Sequence, residues 1–207
     1  AETPTDPPAT DDGNTPATDK PSESDEKFTV GFSIITLDIP YYAEMKDTFV
    51  KGCEERGWDY MVAEAGMSVE KTLNDCSDMI TKGADIIYHA AGGTGAGVIA
   101  TCADSGIYAI GVDSDQSYLA PETVLTSAMK RVDIASQDIS LAVLNGEFAG
   151  GEHLYDLSNG GVDIAPTQDL LSEDVIAAVE DAKQQILDGK VTVPSTVEEC
   201  PAFTLAG

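Results

Sequence analysis

The amino-acid sequence predicts an α/β domain built on a doubly wound parallel sheet. From residue 28 onward, short β-branched apolar runs alternate with stretches of helical periodicity. The connections between them are short, and the apolar runs are nearly continuous, which is typical of strands buried on both faces. Because crossovers in such units are right-handed, we expect helices on both faces of one sheet.

The first strand–helix–strand unit is the clearest. The run at 28–35 is apolar and β-branched, which indicates a buried strand. Pro40 opens a helix that continues to about Arg56, since proline is favoured at the first helical position. Gly57 ends this helix, and the second strand follows at 58–63.

The second unit repeats this order. Ser68 is a candidate N-cap for a helix that ends near Gly83. The third strand is predicted at 84–91. A glycine-rich loop at 92–97 follows it and turns into a helix through Cys102.

The rest of the chain adds further strands and helices. The predicted strands are 107–112, 124–129 and a short one at 153–157; the predicted helices are 132–144 and 173–187, with an extended tail at 191–193.

Charge and composition restrict the function. The 207 residues include 11 Lys and Arg against 37 Asp and Glu, a formal charge of −26. Nucleic acids and anionic membrane surfaces repel such a protein, so we expect neither as a partner. No stretch approaches the ~20 apolar residues of a membrane-spanning helix. An apolar content of 42% is enough to form a buried core.

The first 27 residues differ in composition from the rest. They hold eight acidic residues, two lysines and five of the ten prolines, with no aromatic, Leu, Ile, Val or Met. Such a segment predicts a disordered acidic linker, which leaves 28–207 as the folded domain. A spacer of this kind is common after the lipid-anchored cysteine of exported bacterial binding proteins. A disordered cytosolic tail is the alternative.

The four cysteines are Cys53, Cys76, Cys102 and Cys200. They form no CxxC pair, which argues against a structural zinc site. The first three fall within predicted helices and are expected to be small buried apolar residues. Cys53 and Cys76 lie on successive crossover helices that can face opposite sides of the sheet, so no disulfide is expected between them.

Ligands of open α/β sheets bind beyond the carboxyl ends of the strands. Aromatic, acidic, basic and glycine residues follow those strand ends here, and we expect them to meet at one rim and to bind a ligand. These candidate ligand-binding residues are Asp38, Tyr41, Tyr42, Gly92, Gly93, Asp113 and Lys130.

Each of these features also has a structural interpretation. The loop at 92–97 can hold a polar group on its free N–H groups, or it can be a tight turn that allows close helix packing. Asp113 can accept ligand hydroxyls or pair with Lys130. Asp113 and Asp115 flank Ser114 and together raise the question of a metal site or acid/base chemistry, but no third ligand stands at a fixed spacing. His89, inside a strand, is expected to be a core histidine.

No Ser/His/Asp or Cys/His set has supporting sequence context, so no enzymatic activity, metal or cofactor is expected.

Four separated blocks, at 90–98, 108–121, 124–133 and 160–166, resemble the basic membrane protein (BMP) family. Its members are solute-binding lipoproteins of ABC transporters, and the characterised type binds purine nucleosides. The resemblance implies a nucleoside or sugar ligand, a permease partner and an extracytoplasmic, membrane-tethered position.

The beginning of the domain resembles a second family. Residues 29–42 and 51–57 are similar to the start of ribose-type periplasmic binding proteins, whose first turn places a polar residue and aromatics on the sugar. Asp38, Tyr41 and Tyr42 occupy that place here. Both families share the periplasmic-binding-protein type I fold, so the two resemblances imply one architecture.

The length accommodates one complete lobe rather than two. Either a first lobe is missing or a ribose-type beginning is joined to a BMP-type ending. The family's base-stacking aromatic after the second strand corresponds here to Met67 or Ser68, which weakens the case for purine binding.

Solute binding for an ABC importer is therefore the expected function. The alternative is a rearranged single-lobe protein that acts through protein association, and a small α/β enzyme is a third hypothesis. Helix 132–144 carries more apolar residues than a solitary surface helix needs, so a second copy of the chain is also a candidate partner.

Overall fold

The computed structural model describes residues 28–194. The predicted linker at 1–27 and Cys200 lie outside the described residues. The elements follow one another as β1 (Thr29–Ile34), α1 (Pro40–Arg56), β2 (Asp59–Glu64), α2 (Val69–Thr81), β3 (Ile86–Ala90), α3 (Gly95–Ser105), β4 (Tyr108–Asp113), β5 (Val124–Lys130), α4 (Val132–Asn145), β6 (Val162–Ile164) and α5 (Glu173–Leu187).

One six-stranded sheet joins these elements, in the order β2-β1-β3-β4-β5-β6. The first five strands are parallel, and β6 runs antiparallel to β5, with Ala128 opposite Ile164. The strand order reverses between β1 and β3, which creates the switch point where open α/β sheets bind ligands. The predicted doubly wound α/β fold is confirmed, and its parallel sheet carries one antiparallel edge strand.

Two apolar clusters lie on opposite faces of this sheet. On one face, α2 and α3 pack on the sheet through Cys76, Met79 and Ile99, with Ile87 of β3 beneath them. On the other face, α1 packs on Phe32 and its neighbours through a second cluster. Because adjacent strand residues point to opposite faces, β3 contributes to both clusters.

Local signals in the sequence place the helix ends. Gly57 ends α1 in the left-handed conformation at φ 67°, which a residue without a Cβ adopts at little cost. Ser68 begins α2, and its hydroxyl accepts a hydrogen bond from the Lys71 N–H at 3.2 Å. The predicted N-cap is therefore confirmed.

The strand predicted at 153–157 is wrong. Asp156 accepts from the Ser158 N–H, and the Asn159 amide donates to the Leu154 carbonyl, so side chains close this stretch into a turn. Leu154 points into solvent. The edge strand is instead β6, whose three residues are too few to give a periodic signal.

The helix predicted at 132–144 is present as α4, but none of its residues is buried. Val132 and Val143 are each 57% exposed, and Leu144 is 80% exposed. Within residues 28–194, no helix combines the length and the apolar character needed to cross a bilayer.

Candidate functional site

A cavity of about 310 Å³ opens at the rim where the sheet order reverses. The segments that follow β1 and β3 reach it, as do the last residues of β4 and β5. This volume lies at the lower end of the range typical of small-molecule pockets. Its lining includes Tyr41, Tyr42, Tyr88, Gly92, Asp113 and Lys130.

Five of the seven predicted binding residues meet in this cavity: Tyr41, Tyr42, Gly92, Asp113 and Lys130. The other two, Asp38 and Gly93, are exposed and lie outside its lining. The Asp38 N–H donates to the Thr36 hydroxyl at 3.2 Å, which turns the chain from β1 towards α1.

An ion pair forms the polar wall of the cavity. Lys130 Nζ lies 2.9 Å from Asp113 Oδ1, and both side chains are more than half exposed. The hydrogen bond to Asp113 and the charge of this carboxylate raise the pKa of Lys130. The pair is thus a charged donor and a charged acceptor, held side by side and open to a ligand.

Asp113 has a strained backbone. Its φ of 67° lies in the left-handed region, which residues with a Cβ seldom adopt. The Ser114 N–H donates to the Val112 carbonyl at 2.8 Å, so the chain turns sharply at the end of β4. Such strain persists only when the surrounding structure enforces it, and it concentrates at functional sites.

A buried network enforces this turn. The Gln116 side-chain oxygen accepts from the Val112 N–H at 2.8 Å and lies 3.0 Å from His89 Nε2. The Gln116 N–H donates to the Ser127 hydroxyl at 3.1 Å. A Cβ on Gly111 would lie 2.5 Å from the Ser127 oxygen, so glycine is needed there. The network fastens the turn to β3 and β5 and fixes where Asp113 projects.

His89 is fully buried beneath the rim. Its Nε2 faces Gln116, whereas its Nδ1 has no hydrogen-bond partner among the described residues. Burial lowers the pKa of His89, although the hydrogen bond to Gln116 and the charge of Asp113 oppose this. His89 is therefore a neutral core residue, as the sequence predicted, that also supports the site.

Asp115 has a structural role. Its carboxylate accepts from the Ser117 hydroxyl and from the Thr167 hydroxyl, each at 2.6 Å. Burial on its own would raise the pKa of Asp115, but these hydrogen bonds outweigh it and lower the pKa. Asp113 lines the cavity, whereas Asp115 is held by these hydroxyls and lies outside its lining. Among residues 28–194, no group of three His, Cys, Asp or Glu side chains is placed to hold a metal ion.

Three aromatic rings form the apolar part of the site. Tyr41 and Tyr42 meet edge to face, with ring centroids 5.3 Å apart. Tyr88 stacks on Phe32 at 5.2 Å. Burial, and then the charges of Tyr41 and Asp113, raise the pKa of Tyr88, so it is a neutral hydrogen-bonding group.

The sequence prediction missed Tyr88, Met45 and Met129, all of which line the cavity. Met45 lies one helical turn beyond Tyr41 and Tyr42, so helical spacing could have identified it. Tyr88 and Met129 lie within strands, where the sequence alone does not reveal which face reaches the rim.

A larger apolar groove of about 650 Å³ runs beside α1 and shares Tyr41, Met45 and Tyr88 with the rim cavity. Its charged lining residues are Glu44 and Arg56. It does not contain the ion pair, so we place the polar recognition of a ligand at the rim.

The fold and the rim cavity define the class of this protein. A mostly parallel, doubly wound sheet with a polar and aromatic pocket at its switch point is periplasmic-binding-protein type I-like, as are solved solute-binding proteins of ABC transporters. Residues 59–197 match the Bmp family, described as ABC transporter substrate-binding protein PnrA-like, and the chain belongs to that family.

Individual relatives agree with this assignment. The chain is 37% identical over 153 residues to a CD4+ T-cell-stimulating antigen of Listeria monocytogenes, covering 66% of this chain and 41% of that protein. It is 38% identical over 136 residues to the ABC transporter nucleoside-binding protein BmpA of Lactococcus lactis, covering 56% of this chain and 38% of that protein.

A crystal structure of a transcriptional activator of the comK gene from Bacillus halodurans shares the fold. Its TM-score is 0.70 at 22% identity, over 81% of this chain and 59% of that one. The chain matches about two fifths of the length of the two curated relatives from Listeria monocytogenes and Lactococcus lactis.

Proposed function

We propose that this protein binds a nucleoside or a pentose-type sugar as the extracytoplasmic solute-binding component of an ABC importer. Membership of the Bmp family and the relative named as nucleoside-binding support this ligand class. The observation that carries the proposal is the rim cavity, in which the Asp113–Lys130 pair faces the tyrosines of α1.

The residues of the cavity suit a polar sugar with a flat apolar group attached. The two Asp113 oxygens accept from vicinal hydroxyls, and Lys130 donates to a ring or hydroxyl oxygen. Tyr41 and Tyr42 cover the sugar or base. Gly92, with its neighbour Gly93, offers backbone N–H groups at the start of α3.

Asp38 and Met67 lie at the edges of this arrangement. Asp38 is exposed after β1, where it can contact a solute that extends beyond the cavity. Met67, which with Ser68 is a candidate for the position of the family's base-stacking aromatic, is 72% exposed after β2. A thioether can pack on a base, although with less area than an aromatic ring.

The family also supports a permease partner and a position outside the cytoplasm. We propose that residues 1–27 act as an acidic spacer between a membrane anchor and the domain at 28–207, because their composition prevents them from burying apolar surface.

A thermal-shift experiment tests the ligand class. A nucleoside at a hundredfold excess over Kd stabilises the folded protein by about 2.7 kcal/mol, which raises the Tm by about 5–11 °C. Asp113→Ala should keep the fold and abolish this shift, because it removes the hydroxyl acceptor. Asp104→Ala, an exposed change of equal charge on α3, is the matched control.

Two results would count against the proposal. A shift of wild-type size in Asp113→Ala would mean that the solute does not use this rim. The absence of a shift with every nucleoside and pentose would favour the alternative, a single-lobe protein that acts through protein association. The unburied α4 supports that alternative.

A further inference from the structure

Helices α2 and α3 pack directly against one another. A Cβ on Gly97 would lie 2.8 Å from Leu73 Cδ2, so a larger residue there would require the Leu73 side chain to shift. The Thr72 and Thr94 hydroxyl oxygens are 3.3 Å apart across the interface. One turn further along both helices, Cys76 Sγ lies 4.0 Å from the Val98 carbonyl oxygen.

The next turn of α3 carries Cys102. Cys76 and Cys102 have no exposed area and belong to the same apolar cluster. Both thiols are free in this structure, and Cys102 lies one helical turn beyond Val98, on the same side of α3. The core therefore holds two free thiols within one apolar cluster, on the sides of α2 and α3 that pack together.

We propose that Cys76 and Cys102 are a disulfide site that fastens α2 to α3. The inference rests on the proposed extracytoplasmic position, because disulfides persist in oxidising compartments. The oxidant is a second disulfide, either glutathione disulfide or the oxidised dithiol of an oxidoreductase.

The chemistry proceeds in two exchanges. One cysteine thiolate attacks a sulfur of the oxidant and releases one of its thiols, which forms a mixed disulfide. The other cysteine thiolate then displaces the second thiol and closes the Cys76–Cys102 bond. The protein loses two electrons and two protons, and the oxidant gains them as two thiols. Because both sulfurs are buried, the exchanges accompany folding and precede closure of the α2–α3 interface.

Cys53 provides the matched control. It is also buried, at 3% exposed, but it lies on α1, on the opposite face of the sheet. A bond from Cys53 to Cys76 would have to cross the sheet. Cys53→Ser should therefore leave the proposed bond intact.

The decisive experiment maps thiols in the full chain after refolding in a glutathione redox buffer. The protein is denatured, alkylated with iodoacetamide without reductant and digested. We expect Cys76 and Cys102 to escape alkylation and to appear in one linked peptide pair that separates after reduction. Cys76→Ser should make Cys102 alkylatable, and Cys102→Ser should do the same for Cys76.

Thermal unfolding gives a second readout. Closing a loop across the 26 positions between the two cysteines should raise the Tm by about 5–15 °C relative to the reduced protein. The Cys76→Ala/Cys102→Ala double variant should have the same Tm with and without reductant.

Full alkylation of both cysteines in the non-reduced wild type would overturn the inference, as would a bond from Cys76 to Cys53 or Cys200. Adding nucleoside to the oxidised and reduced forms separates the two proposals. If nucleoside raises the Tm but no Cys76–Cys102 bond forms, only the disulfide proposal is refuted. If the bond forms but nucleoside does not raise the Tm, only the proposal of solute binding is refuted.

Discussion

At the scale of single residues, Asp113 links the fold to the proposed site. It ends β4 in a left-handed conformation, and its carboxylate pairs with Lys130 at the end of β5. An exposed ion pair contributes little to stability, about 0–1 kcal/mol, whereas backbone strain of this kind costs about 1–3 kcal/mol. The arrangement therefore lowers stability, which is consistent with selection for binding.

His89 predicts a pH dependence of stability. Its pKa is lowered in the folded state, mainly by burial, so the unfolded chain binds a proton that the folded chain excludes. Stability should therefore fall as the pH drops below about 6.5, by up to about 1.4 kcal/mol per pH unit, until the folded pKa is reached. Urea unfolding of the wild type between pH 5 and 7.5 measures this slope.

His89→Gln should flatten that slope, because glutamine does not titrate. His153→Gln, which changes an exposed histidine that contacts the Ala149 carbonyl, is the matched control. Equal slopes in the wild type and both variants would show that His89 titrates alike in the folded and unfolded states.

Much of the candidate site could be predicted at this scale because the rule for open sheets places strand ends together. Asp113 and Lys130 end adjacent parallel strands, so their meeting follows from topology. The network under them could not be predicted. Gln116 reaches His89 only because the chain turns back at Asp113, and the sequence contains no signal for that left-handed residue.

At the scale of elements, strong local signals in the sequence predicted the ends of helices accurately, whereas weak signals did not predict strands correctly. The proline start and glycine stop of α1 placed it correctly. The segment at 153–157 alternates like a strand, but Asp156 and Asn159 compete for its backbone with side-chain hydrogen bonds. β6 is a strand because β5 offers it an edge, which is a tertiary effect.

The attachment of α5 gives a prediction at this scale. None of its residues is buried, and Lys183 Nζ reaches Asp163 Oδ1 of β6 at 2.7 Å. Lys183→Met should lower the free energy of unfolding by about 0.5–1 kcal/mol and increase hydrogen exchange of the β6 amides. Lys190→Met, which breaks a pair between neighbours at Asp188, is the matched control.

The pH dependence of this attachment has a definite sign. Burial would raise the pKa of Asp163, but the hydrogen bond and charge of Lys183 outweigh it, and the pKa is lowered. The stabilisation by the Lys183–Asp163 pair is therefore present above the usual aspartate pKa. It is lost as the pH falls through the pKa of Asp163 in the folded protein. If Lys183→Met and Lys190→Met destabilise equally at pH 7, the pair does not hold α5 in place.

At the scale of the whole molecule, α4 is the feature that the fold leaves unexplained. The sequence marks one of its faces as apolar, through Ile139 and the residues around it, and the structure buries none of them. A helix of this kind normally packs on a neighbour. Ile139 is half-buried, whereas Val143 and Leu144 are exposed, so the elements among residues 28–194 cover α4 only in part, and contacts between copies of the chain would cover the rest.

We expect a monomer–dimer equilibrium with a symmetric contact through α4. The formal charge of −26 opposes association, so dimers should increase as salt screens the repulsion, since the Debye length falls from about 10 Å at 0.1 M to 3 Å at 1 M. Light scattering at both salt concentrations measures this.

Val143→Glu should keep the protein monomeric, because it places a charge within the contact. Val175→Glu adds the same charge to the exposed part of α5 and should leave the dimer intact. A strict monomer at both salt concentrations, or equal loss of dimer in the two variants, would show that α4 does not mediate association.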